Sequence, residues 1–108
     1  MGKPHDYEIE KVLVLSTAHI PLKDNELLEN EKRAGVVAYA YKYGHYVYVG
    51  TNKDVFEQVL ESAKQDGFSY AFVKLLELAH SLDCPYLKLD CDGPIRKELL
   101  QFDWSNHE

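Results

Sequence analysis

Cysteine is scarce in this chain: Cys84 and Cys91 are the only thiols among its 108 residues. If the segment between them is extended, seven steps of about 3.3 Å hold them roughly 23 Å apart. A disulfide needs Cα atoms within about 7 Å, so the two cannot bridge within one strand. Free thiols fit a reducing compartment, and a cytoplasmic location is the expectation. Long apolar runs are also missing. Nothing approaches the roughly 18 residues that cross a bilayer, and Met1 to Glu10 carries no apolar signal-peptide core. No membrane partner is expected. Basic clusters are equally sparse: Lys32-Arg33 and Arg96-Lys97 are the only adjacent pairs, and the net charge is −6. Phosphate backbones are held by clustered Lys and Arg, so the charge argues against duplex DNA or RNA.

A chain of this length fits one domain, and burying roughly 65% of its unfolded surface lets one core suffice. The apolar share of 45% and the charged share of 28% are ordinary for a globular protein. Residues 1–108 read as a single domain, with 1–8 a flexible extension and 95–108 a tail that docks through Leu99, Leu100, Phe102 and Trp104.

Val12 to Leu15 is short, continuous and apolar at every position, the pattern of a strand buried on both faces and therefore central. Pro21 suits the first turn of a helix running to about Lys32. Val36 to Gly50 reads as a hairpin turning at Tyr43-Gly44, where glycine would supply a positive φ. That turn sets Tyr41 opposite Tyr46 and Tyr39 opposite Tyr48. Side chains alternate along a strand, so Tyr39, Tyr41, Tyr46 and Tyr48 share one face, with Val36, Ala38, Ala40, Val47 and Val49 on the other. Thr51 to Asp54 reads as a capping box for a helix whose stripe is Val55, Phe56, Val59, Leu60 and Ala63, stopped by Gly67. Ser69 to Leu82 is a more apolar helix, polar only along Tyr70, Lys74, Glu77 and Ser81. Pro85 introduces a last strand, Tyr86 to Cys91, with Leu87, Leu89 and Cys91 inward. The order β-α-β-β-α-α-β predicts an α/β (α+β) domain with a mixed four-stranded sheet.

Two features carry functional expectations. The first is a polar edge. If the first and last strands are parallel neighbours, Ser16, Thr17 and His19 emerge beside Asp90 and Asp92, where ligands of open α/β sheets gather. His19, Asp90 and Asp92 are then candidate ligands of a divalent ion, with Ser16 or Thr17 orienting a substrate, as in a small hydrolase or phosphoesterase. The competing account is structural: strand and helix ends need such groups as caps and turns, and Asp-Gly-Pro is good turn chemistry. Cys91, flanked by two carboxylates, is a poor nucleophile and reads as core. His80 reads as a satisfied border residue of its helix. The second feature is the tyrosine face. Eight tyrosines are present, and Tyr39, Tyr41, Tyr46 and Tyr48, extended by Tyr43 at the turn, form a candidate interface for a protein partner or a second copy. Stacking on single-stranded bases is a weaker alternative given the acidic balance. The competing account places the rings beneath a helix or the tail. No cofactor is expected.

The segment from Leu87 to Gly93 resembles the nucleophile motif of haloacid-dehalogenase-type phosphatases, but few residues follow it and no downstream lysine or acidic motif completes such a site. Leu15-Ser16-Thr17-Ala18-His19-Ile20, Leu27-Leu28, Leu89 to Pro94 and Phe102-Asp103-Trp104 together resemble a family of small uncharacterised bacterial proteins, a domain of unknown function associated with plasmids, phages and integrated elements. The resemblance spans most of the chain. It implies a self-contained fold unit and an accessory role toward host machinery, as inhibitor or adaptor, and supplies no catalytic residue.

Overall fold

A computed structural model of the chain describes residues 7–30 and 35–104. Strand β1 (Val12–Ser16) leads through a 3-10 turn (Thr17–His19) into helix α1 (Leu22–Glu29). The hairpin β2 (Ala38–Tyr41) and β3 (Gly44–Tyr48) follows, then α2 (Lys53–Gln65), α3 (Tyr70–Ser81) and β4 (Tyr86–Asp90). The expected order is therefore observed. The strands form one mixed sheet, β1-β4-β3-β2, with β1 parallel to β4 and both other pairs antiparallel. Together they make a single compact α+β domain.

The helices form where the sequence caps and stops them. Asn52 accepts a hydrogen bond from the Val55 N–H at 2.9 Å and starts α2, so the cap is Asn52 where the box was expected from Thr51. Gly67, at φ +90°, ends α2 while the Phe68 N–H reaches back to the Ala63 carbonyl. Ser69 caps α3 through the Phe72 N–H at 3.2 Å. Helix α1 ends at Glu29, and the rest of its expected span, to Lys32, falls partly outside the described residues. Most of the expected flexible extension, residues 1–8, also lies outside them, as do His5 and His107.

One face of the sheet carries the core. Leu15, Leu87, Leu89, Val47 and Val49 pack against Phe56, Val59 and Ala63 of α2 and Phe72, Leu75, Leu76 and Ala79 of α3. Phe68 stacks on Phe72 with centroids 4.2 Å apart, and His80 stacks on Phe56 at 3.9 Å. His80 thus closes the border of its helix, as expected.

Three expectations are corrected. Strand β1 is an edge strand and β4 and β3 are central. Its inner residue Leu15 is buried, but Val12 and Val14 are exposed, so apolarity on both faces did not arise from enclosure. The hairpin turns at Lys42-Tyr43, pairing Tyr41 with Gly44 and Tyr39 with Tyr46. This register differs from the expected one by two residues, an even number, so the faces stay as predicted. Gly44 does not hold a positive φ. It is required because a Cβ there would stand 1.8 Å from the Leu89 carbonyl oxygen on β4. Finally, Cys91 is exposed beyond the end of β4, and Cys84 is the buried thiol.

Candidate functional site

Parallel pairing of β1 with β4 sets Ser16 level with Asp90, so the predicted polar edge exists. Of its groups, the Ser16 hydroxyl, the His19 ring and the Asp90 carboxylate are already engaged. The Ser16 hydroxyl accepts the Ala18 N–H at 3.0 Å, and the Thr17 carbonyl accepts the Ile20 N–H at 3.2 Å. His19 is only 1% exposed. Its Nε2 accepts the Arg96 backbone N–H at 3.0 Å, which places the ring proton on Nδ1, where it donates to the Leu100 carbonyl at 2.7 Å. With the Phe102 N–H on the Ala18 carbonyl and the Trp104 indole N–H on the Ile20 carbonyl, this neutral imidazole fastens the C-terminal tail to the segment after β1. The tail docks chiefly through these bonds, with Leu99 and Trp104 reaching the core and Leu100 exposed.

Asp90 is engaged in the same way. One carboxylate oxygen accepts the Asp92 N–H at 2.7 Å, and the other accepts the Tyr41 hydroxyl. These hydrogen bonds, the Tyr41 contact foremost, hold its carboxyl below the usual range. Partial burial, and then the Asp90 contact, push the Tyr41 phenol up, so it stays a donor. Among the described residues, Asp90, Cys91 and Asp92 bring one ligand atom each within 4.8 Å of one another. His19 is outside that group, so the trio of His19, Asp90 and Asp92 is not assembled. What stands at the edge is a turn and a tail anchor.

The tyrosine face is different in kind. Cross-strand register puts Tyr39, Tyr46, Lys88 and Val14 in one row and Tyr48, Tyr86 and Val12 in the next. Tyr41 and Tyr46 lie 5.4 Å apart, and Tyr48 and Tyr86 5.6 Å apart. The Lys88 ammonium sits over both Tyr41 and Tyr46, at 5.5 and 5.3 Å. This is a cation–π contact supplied from within the face. Tyr39 is 63% exposed, Val12 39% and Val14 37%, and Tyr41, Tyr46, Tyr48 and Tyr86 are half-buried by one another. Among the described residues no helix packs here: the core lies on the opposite face, and the tail lies across the end of β1. Tyr43 sits at the hairpin tip, exposed, 6.3 Å from Tyr41. Negative charge from Glu10 raises the Tyr86 phenol, followed by partial burial.

Sequence reasoning passed over Tyr86 and Lys88 as members of the face, because the strand order that places β4 beside β3 is not a local property. It also passed over Asp24. That carboxylate is fully buried in the first turn of α1 and accepts the Ser69 N–H at 3.0 Å and the Ser69 hydroxyl at 2.5 Å. Burial raises its pKa against the opposing pull of these bonds. Nothing in a pattern of neighbours marks a pair 45 residues apart.

Among the described residues no helix is long and apolar enough to cross a membrane. No curated protein and no solved structure matches the chain. A family model does, and it begins with the first residue of β1 and ends at Trp104, whose indole fastens the tail. Across residues 12–104 the chain belongs to the family of unknown function DUF5983, matching its C-terminal domain.

Proposed function

We propose that this chain is a non-enzymatic, cytoplasmic protein-interaction module that captures a protein partner on its tyrosine face. The observation behind this is the side of the sheet that no helix covers among the described residues, with five tyrosines and two valines around Lys88. Tyrosine supplies large contact area at little entropic cost and keeps a polar tip, which suits a surface that must exist wet and bind dry. The partner that fits presents an apolar patch with a carboxylate to meet Lys88, the cation at the centre of the face. An accessory role in a mobile element, as inhibitor or adaptor of a host factor, is the biological setting we attach to this reading.

The test is a protein captured from host extract and then purified, with affinity measured against the wild-type chain and Tyr39→Ser/Tyr46→Ser. These two residues face each other across the hairpin and leave the Tyr41–Asp90 bond intact. Loss of two interface anchors costs at least about 2 kcal/mol, or roughly 30-fold in affinity. Equal affinity in the two proteins overturns the reading.

A further inference from the structure

We propose that the outer edge of β1 pairs antiparallel with β1 of a second copy, joining two sheets into one of eight strands. The first support is a mismatch between composition and place. Val12 to Leu15 is apolar on both faces, the pattern of a strand with neighbours on both sides, yet among the described residues β1 has one neighbour, β4. Proteins guard exposed edges with inward charges, proline or bulges, and β1 carries none of these between Val12 and Leu15. Only its far end is closed, by the Ser16 N–H bonded to the Pro94 carbonyl at 2.8 Å. The opposite edge is unlike it: β2 has four residues, and α1 packs against it.

The second support is charge. Glu8 and Glu10 precede β1, and both are exposed. At the other end, Pro94 lies beside Ser16 and leads to Arg96, Lys97 and Glu98, all exposed; Glu98 pairs with Arg96 at 3.0 Å, so Lys97 is the cation of this segment outside that pair. Antiparallel pairing reverses one copy, so Glu10 of each comes to the end that carries Lys97 of the other. Parallel pairing would set like beside like. The local dyad of an antiparallel pair stands perpendicular to the sheet, so both tyrosine faces point the same way and become one continuous platform. This inference concerns the edge and goes beyond the proposed use of the face.

A strand pair of this length buries less than the roughly 800 Å² per partner of a standard interface, so the dimer is weak, with a dissociation constant on the order of 10 μM. Repulsion between two copies of charge −6 is largely screened at about 0.15 M salt, which sets the conditions of the test. Sedimentation velocity of the full chain, over roughly two decades either side of 10 μM, should show monomer passing to dimer. Val12→Lys/Val14→Lys sets lysines against lysines across the new pair and should stay monomeric with unchanged circular dichroism; its thermal midpoint should fall slightly, because Val14→Lys also faces Lys88 on β4. Glu10→Lys should weaken the dimer about tenfold, and Glu10→Lys/Lys97→Glu should restore it. Amide exchange at residues 12–15 should slow with protein concentration in the wild type. A monomer at every concentration overturns the proposal. So does a dimer that survives Val12→Lys/Val14→Lys, or one lost only in Tyr39→Ser/Tyr46→Ser, which would assign self-association to the face and leave the edge unused.

Discussion

The two faces of the sheet are built by alternate residues of the same strands and meet opposite fates. On one, Leu87, Leu89, Val47 and Val49 are fully buried under two helices. On the other, Tyr46, Tyr48, Tyr86 and Lys88 shield one another, and no helix covers them among the described residues. Aliphatic side chains gain by leaving water and have nothing else to offer, so they specify packing. Tyrosine rings recover part of that gain among themselves and keep hydroxyls for water or a partner. One face therefore holds the fold, and the other is available for recognition.

Substitution should divide along the same line. Phe72→Ala on the packed face removes a fully buried ring, with an expected cost of roughly 3–5 kcal/mol read from chemical denaturation. His19→Ala strands the Leu100 carbonyl and the Arg96 N–H that its ring bridges, with an expected cost of about 1–3 kcal/mol. Limited proteolysis should then cut between residues 94 and 102, where the wild type resists. Tyr39→Ser/Tyr46→Ser should change stability by about 1 kcal/mol per site, because Tyr39 is mostly in water and the half-buried Tyr46 touches Tyr41 and Lys88 only on the open face. A cost near that of Phe72→Ala would show that the tyrosines hold the fold, and the comparison would collapse.

Acid titration sharpens the contrast between two carboxylates. Asp90, with a lowered folded pKa, contributes stability that is present above 3.8 and is lost as pH falls through its folded value. Asp24, with a raised folded pKa, does the reverse: its contribution is full below 3.8 and is lost as pH rises through its folded value. Relative to Asp90→Asn, the wild type should therefore lose its advantage on acidification. Relative to Asp24→Asn, it should lose ground as pH rises above 3.8. Thermal unfolding across that range reads both, and slopes of the same sign would contradict one of the two environments.

Much of this arrangement was legible in the chain. The stripe of α2, the apolar girth of α3 and the segregation of tyrosine from valine follow from periods of 3.6 and 2, which local sequence records directly. The two helices between β3 and β4 allowed β4 to return beside β1, and its parallel pairing there was a condition that the structure meets. What escaped depends on contacts between distant residues. Gly44 looks like a turn glycine, and only β4 pressing against it explains its lack of a side chain. Cys91 continues an alternating pattern, but the strand ends one residue earlier. The polar edge hung on the condition that β1 and β4 pair in parallel, and the engagement of His19 and Asp90 by the tail and the turn depended on Arg96, Leu100 and Tyr41.

The position of β4 bears on how the domain assembles. It is the last strand in the chain and lies between β1 and β3, so the sheet is one continuous body only once β4 has inserted. Before that, the hairpin is the strand pair that local contacts form, and β1 has no other partner among the described residues. Closing β1 onto β4 spans about seventy residues, a slow step for which loop entropy must be met before any pairing rewards it. During that wait an apolar, uncharged strand stands open to other chains. Refolding yield should therefore fall with concentration, and a peptide copying Tyr86–Asp90 should compete for the slot.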